Sequence, residues 1–380
     1  EMNRVLKIGG KVLILEFSKP SVPVLSHIYR FYFIKILPLV GRIVSKDKDA
    51  YSYLPRSVME FPDGNDLRPK NYGLERWIDF YTPRQALVHG TFGEEFARLI
   101  QTAHALGLQV MIDVVYNHTS RDSVLLREHP EWFMRDAHGN PAGKVDDWSD
   151  VYDLDYSRKD LWDYQIATLG KWVDCGVDGF RCDVASLVPL AFWVTAREQL
   201  AQAQPRELIW LAESVDKSFT KILRDEGFVS HADPELHTAF DLTYDYDGYD
   251  YLGGAMQGAR PLGDYLNHLY VQETLYPAGA VKMRFIENHD NPRAAGVVGS
   301  GRSLLNWTVF YSLLPGAMLV YAGQEMALCH FPDLFDKDTI RWDEGDPEFQ
   351  PFMQKVLGLS KEIKRSCARF AVSELGEGVV

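Results

Sequence analysis

Three acids close three apolar runs: Asp183 in VDGFRCDVA, Glu213 in LIWLAES and Asp290 in FIENHDNPR. A fourth run, VMIDVVYNH, ends on Asn117 and His118. Each run has strand length, so each polar side chain falls at a strand's C-terminal mouth, where a parallel α/β barrel gathers its chemistry. Two carboxyl groups facing one glycosidic bond suffice to cleave it. One attacks or activates water, and the other protonates the departing oxygen. A separation of ~5–5.5 Å gives retention of configuration, and roughly 6.5–9.5 Å gives inversion. Neighbouring strands lie ~4.8 Å apart, so Asp183 and Glu213 on adjacent strands suit the shorter distance. Arg181 lies two residues before Asp183 and therefore on the same strand face. A guanidinium there favours the ionised carboxylate that a nucleophile needs. Glu213 follows Ile209, Trp210, Leu211 and Ala212, and an apolar setting favours the protonated form that an acid needs. His289 and Asp290 are placed to hydrogen-bond sugar hydroxyls.

The elements that must position these residues alternate along the chain. Strands are expected at Gln109–Val115, Val177–Val184, Leu208–Glu213, His237–Tyr244, Val281–Asn288 and Ala317–Tyr321. Helices are expected between them, for example Gly93–Leu106 and Leu161–Cys175. In the latter, Trp162, Ile166, Leu169 and Val173 recur at helical spacing and form a core face. Regular strand–helix alternation points to parallel α/β architecture. A closed (β/α)8 barrel has eight strands, so the expected fold is an incomplete TIM barrel with about six of them. The deficit falls at the front, where the composition also changes. Residues 1–63 hold ten basic and six acidic residues and carry a separate strand–helix segment, KVLILEF followed by an apolar stretch from Val22 to Val44. Strand Lys11–Phe17 is expected to pair with a free edge of the sheet.

The totals set limits on function. The chain has 380 residues, 46% of them hydrophobic and 24% charged, which is ordinary for a globular protein. A net charge of −13 disfavours nucleic acid and anionic membranes and suits a neutral polar ligand. Arg30, Lys35 and Arg42 interrupt the Val22–Val44 stretch, so no membrane span is expected there. Cys175, Cys182, Cys329 and Cys367 lack CxxC spacing and read as reduced thiols. The first residues do not read as a secretory leader, and a cytoplasmic location is expected. The chain opens on Glu1, so a longer natural N-terminus is expected.

The segments IDVVYNH, GFRCDVA, WLAES and FIENHD resemble, in order, the four signature regions of the α-amylase family, glycoside hydrolase family 13. VYDLDYS and LPGAMLVYAGQE resemble two weaker regions. The resemblance covers about residues 64–365. It implies that Asp183 is the nucleophile, Glu213 the acid/base and Asp290 the transition-state stabiliser. It implies further that His118, Arg181 and His289 hold the sugar and that Asp113 supports the arginine. Residues 119–155 correspond to the irregular excursion that walls the cleft, with Trp132, Trp148, Tyr152 and Tyr156 as aromatics for stacking or packing. Asn117 matches a calcium ligand of many members. No cofactor is otherwise required, and Ca²⁺ is the one metal the resemblance implies. The family often continues its second signature with Lys-His. This chain has Ser186 and Leu187 there, and a leucine side chain binds neither metal nor hydroxyl. The acid-rich run Asp241, Asp245, Asp247 and Asp250 lacks EF-hand spacing and reads as a solvated strand end.

Residues 1–63 resemble a different family, the C-terminal part of the ubiquinone/menaquinone-biosynthesis C-methyltransferases, without the Gly-rich loop that binds S-adenosylmethionine. Residues 366–380 read as the cut-short start of a C-terminal region. The expected activity is retaining cleavage or transfer on an α-glucan or α-glucoside through a glycosyl–Asp183 intermediate, weakened by the missing barrel front. A catalytically inactive carbohydrate-binding or fused gene product is the alternative, and methyl transfer a remote third.

Overall fold

A computed structural model describes residues 83–204, 206–334, 337–366 and 370–373. The chain divides into two compact units, Glu1–Phe92 and Gly93–Val380. The expected strand Lys11–Phe17, the Val22–Val44 stretch and Cys367 lie outside the described residues.

The second unit is built on one parallel sheet. In chain order its strands are β1 (Met111–Val114), β4 (Gly179–Cys182), β5 (Ile209–Ala212), β6 (Leu242–Tyr244), β7 (Val281–Arg284) and β8 (Ala317–Met318), and they lie side by side in that order. All five pairings are parallel. Among the described residues the sheet has two edges, β1 and β8. The helices include α1 (Pro83–Ala105), α2 (Lys159–Asp174), α3 (Leu190–Ala203), α4 (Tyr246–Met256), α5 (Leu262–Leu275), α6 (Arg302–Leu313) and α7 (Phe349–Ser366).

Alternation along β4 sorts its side chains. Phe180 and Cys182 face the helices and are fully buried in a cluster with Trp193, Phe192 and Trp210. Arg181 and Asp183 take the opposite face. Helix α2 buries Leu161, Trp162, Ile166, Leu169 and Val173, the stripe that its sequence spacing predicts. A second apolar cluster joins α4 and α5 to α6 and α7 through Leu252, Tyr265, Leu269, Tyr311 and Phe349. Beneath the strand ends, Leu211, Tyr244, Met283 and Phe285 fill the concave side of the sheet.

Three expectations are corrected. The fourth predicted strand, His237–Tyr244, shrinks to Leu242–Tyr244, because the helical turn Asp233–Leu236 runs on into a turn in which the Ala239 and Phe240 N–H groups donate to the Leu236 carbonyl at 2.9 and 3.0 Å. Pro234 starts that turn, and Glu235 accepts from the Ala232 N–H at 2.7 Å, so local capping overrides the apolar pattern. The excursion after β1 is not wholly irregular. Strands β2 (His118–Ser120) and β3 (Val151–Asp153) pair antiparallel, with His118 opposite Asp153. The Leu154 N–H donates to the Asn117 carbonyl at 2.9 Å, so the excursion leaves and rejoins the sheet at one place. Each strand is three residues long and needs its partner, which hides both from a local reading.

The acid-rich run is solvated only in part: Asp250 is exposed and Asp241 half-exposed, but Asp245 and Asp247 are not. Asp245 is 2% exposed and pairs with Arg284 at 2.7 Å, and the half-buried Asp247 pairs with Lys282 at 2.8 Å and His268 at 3.1 Å. Lys282 and Arg284 share one face of β7, and each buried cation there has drawn an acid. Lys282 also pairs with Asp233, which Ser214, next to Glu213, contacts at 2.9 Å.

Gly179 sits where β4 meets β5, and an added Cβ would strike the Ile209 carbonyl oxygen. Gly179→Ala is expected to cost about 1–3 kcal/mol by forcing the central strands apart, read as a lower urea midpoint. An unchanged midpoint would mean that the strand junction yields freely.

Candidate active site

The ends of β1, β4 and β5 converge on Arg181, which is 8% exposed. Its Nη1 donates to Asp113 Oδ1 and Oδ2 at 2.9 and 3.0 Å and to Asp183 Oδ1 at 2.7 Å, and its Nη2 donates to Glu213 Oε1. Strand register makes this possible: Asp113 pairs with Arg181, and Glu213 hydrogen-bonds to the Cys182 carbonyl at 3.0 Å. Burial alone would make the guanidinium more acidic. Glu213, Asp113 and Asp183 outweigh burial and raise its pKa further.

Glu213 is 7% exposed, and burial pushes its pKa up to about 8; the Arg181 charge opposes the shift and the Asp183 charge adds to it. Its second oxygen, Oε2, accepts from the Val184 N–H at 2.9 Å. Val184 reaches that geometry with φ 35° and ψ 45°, left-handed backbone in a β-branched residue. Such backbone costs on the order of 1–3 kcal/mol, and strain of this kind gathers at functional sites.

The opposite wall comes from the segment after β7. Tyr246 donates from its hydroxyl to Asp290 Oδ2 at 2.6 Å, and Asn288 Nδ2 donates to the Tyr246 hydroxyl at 2.8 Å. His289 Nε2 lies 3.3 Å from Asp290 Oδ2. Glu213, His289 and Asp290 each place an O or N ligand atom within 4.8 Å of the other two. One cavity of about 490 Å³ is lined by Asp183, Val184, Glu213, Tyr246, His289 and Asp290, together with His118 and Trp148. That volume is in the range of a small-ligand site.

Of the residues singled out in the sequence, Asp183, Glu213, Asp290, His118 and His289 line this cavity. Arg181 and Asp113 lie behind it in the charge cluster. Among the four aromatics, Trp132 and Tyr156 are core residues, and Trp148 lines the cavity with its ring against His118. Arg121 lies over the Tyr152 ring at 4.8 Å. Tyr246 and the strained Val184 escaped the sequence reading. The repeated Tyr-Asp pattern after β6 was the available signal for Tyr246. Nothing in the sequence marks a valine for left-handed backbone.

Asn117 is fully buried, outside the cavity lining. Its Oδ1 accepts from the Lys144 ammonium at 2.6 Å. Burial lowers the Lys144 pKa, and Asp153 beside it opposes the shift. A positive group of the chain itself holds the oxygen that calcium would need, so the residues present do not fit a calcium ion at Asn117.

Known proteins resemble the chain in two parts. Residues 1–72 match the ubiE/COQ5 methyltransferase family. Over 74 residues the chain is 50% identical to the ubiquinone/menaquinone biosynthesis C-methyltransferase UbiE of Geotalea daltonii, covering 20% of this chain and 31% of that protein. The crystal structure of an alpha-amylase from Lactobacillus plantarum superposes with a TM-score of 0.67 at 46% identity, covering 70% of this chain and 63% of that one. The alpha-amylase MalA of Haloarcula japonica is 26% identical over 301 residues, 77% of this chain and 41% of MalA. The chain thus spans less than two thirds of the length of these relatives. The match to the alpha amylase catalytic domain runs over residues 144–375, more than half of the chain, and includes Asp183, Glu213 and Asp290; the protein belongs to that family.

Proposed function

We propose that this protein is a retaining α-glucan-active glycoside hydrolase or transglycosylase working through a glycosyl–Asp183 intermediate. One observation carries the reading: Arg181 donates to Asp183 from one nitrogen and to Glu213 from the other. Two carboxyls gripped by one guanidinium suit the short separation of retaining enzymes, ~5–5.5 Å, better than the wider gap of inverting ones. The kinship with alpha-amylases supports an α-glucan as substrate.

In the first step an Asp183 oxygen attacks the anomeric carbon as the bond to the leaving oxygen breaks, and Glu213 gives that oxygen its proton. In the second step Glu213 takes a proton from water or from an acceptor hydroxyl, which attacks the same carbon and frees Asp183. Asp290, held by Tyr246, faces the positive charge that develops on the ring. His118 and His289 bind hydroxyls. Among the described residues two sheet edges border this machinery, and turnover is expected below that of the longer relatives.

Asp183→Asn is expected to abolish release of fluoride from α-glucosyl fluoride while glucan binding persists in a pull-down. Glu213→Gln is expected to lose about 10²–10⁴-fold on glucans, yet to give a burst on the fluoride, whose leaving group needs no proton. Full activity in Asp183→Asn ends the proposal. An unmutated chain that binds glucan without cleaving it favours the carbohydrate-binding alternative.

The pH profile tests the proton donor separately. Glu213 must be protonated for the first step, and its pKa lies at about 8. kcat/KM is therefore expected to hold through neutral pH and fall as pH rises through about 8. The same shift bears on folding. Between the ordinary glutamate value of 4.5 and about 8, the folded chain binds the proton more tightly than the unfolded one. Stability from this group is then present at low pH and lost as pH rises through that window. Glu213→Gln should flatten the decline in melting temperature; an equal slope in both proteins would refute the assignment. The ubiE/COQ5-like segment matches under a third of UbiE, and S-adenosylmethionine is expected to leave the melting temperature unmoved.

A further inference from the structure

Lys144 stands in the excursion between β2 and β3, with its side chain 7% exposed. Besides Asn117 Oδ1, its ammonium donates to the Leu187 carbonyl at 3.3 Å and lies 3.3 Å from Asp153 Oδ2. An ammonium has three donors and no acceptor, and here three oxygens meet it. They come from three places: just beyond β1, the turn that follows Asp183, and β3. An amide, a backbone carbonyl and a carboxylate converging on one positive centre form the kind of oxygen set that a hard cation takes. Asp153 is 1% exposed, and its Oδ1 has no hydrogen-bond partner among the described residues. A carboxylate so buried depends on a positive neighbour.

We propose that the Lys144 ammonium serves as a built-in cation, pinning the excursion to the strand end beside His118 and to the turn beyond Asp183, and that removing it opens a site for a divalent ion. The pinned points are those that shape the cavity. Asn117 Nδ2 lies 3.2 Å from His118 Nδ1, so the amide held by Lys144 also touches a cavity-lining ring. The Leu187 N–H donates to the carbonyl of the strained Val184 at 2.9 Å. Where a metal-dependent fold would use calcium, this unit uses a side chain that a chelator cannot remove.

Melting temperatures of the full chain, Lys144→Ala and Lys144→Met, each with EDTA or with millimolar calcium chloride, test the idea. The unmutated chain should respond to neither. Both variants strand a buried carboxylate and should melt roughly 5–15 °C lower. Lys144→Ala leaves room among the oxygens and should regain part of the loss in calcium, reversibly with EDTA. Lys144→Met keeps the bulk of the stem and should not. An unmutated chain that EDTA destabilises and calcium restores overturns the proposal, as do variants as stable as the parent. A Lys144→Ala protein indifferent to calcium overturns its second half. Should Lys144→Ala fail to fold, the chelator arm and Lys144→Met still decide. The readout is melting, so failure of the hydrolase reading leaves this inference standing.

Discussion

One guanidinium among three carboxyl groups is the constraint on which the site depends. Asp113, Asp183 and Glu213 come from three adjacent strands, and Arg181 touches all three. Without a cation between them, acids so close could not all stay in place, since each desolvated charge raises the cost of the next. Arg181 cannot lose its proton in this setting, so the adjustment falls on the carboxyls. Glu213 is the most enclosed of them, and burial drives it, like Asp113, toward the protonated form. The shared cation thereby sits against a carboxyl group inclined to keep its proton, the property a general acid requires.

The same economy recurs on the far side of the sheet. Lys282 and Arg284 on β7 turn toward the helices and are nearly fully buried. Asp233, Asp245 and Asp247 meet them, and Gln272 and Tyr265 on α5 supply further partners to Asp245. Such networks bring little net stability over apolar packing, but breaking one partner leaves a stranded charge. They therefore act as registration: β7, α4 and α5 fit together in one arrangement. Because Asp290 follows β7 and Tyr246 opens α4, that registration sets the wall of the cavity opposite Arg181.

Much of this was legible in the sequence, for a physical reason. The strands are short apolar runs ending in a chemical group, and period-two alternation then says which neighbours share a face. Arg181 beside Asp183, and Cys182 turned away into the core, follow from that alone. Local rules stop where partners are distant in the chain. Asp245 and Asp247 look solvated until Arg284 and Lys282 come into view, some 35 residues later. Asn117 reads as a metal ligand until Lys144 is placed beside it by a pair of three-residue strands too short to stand out. Val184 is the opposite case. Its left-handed backbone contradicts its residue type and is held by the turn into Leu187 and by the hydrogen bond to Glu213, neither of which composition encodes.

The position of each group in the sheet explains how a site of this kind can stand on the six strands found among the described residues. Asp183 and Glu213 follow β4 and β5, interior strands with a hydrogen-bonded neighbour on both sides. Their relative placement is fixed by the β4–β5 register and by Arg181, and neither depends on what borders the sheet. Asp290 follows β7, one strand in from the edge. Asp113 alone among the charge cluster rides on a strand that is an edge among the described residues, and its carboxylate is the most exposed of those that Arg181 holds. Fraying at β1 would therefore loosen the arginine's support before it moved Asp183 and Glu213. Walls and binding contacts are the parts most sensitive to the sheet's borders, and the carboxyl pair the least.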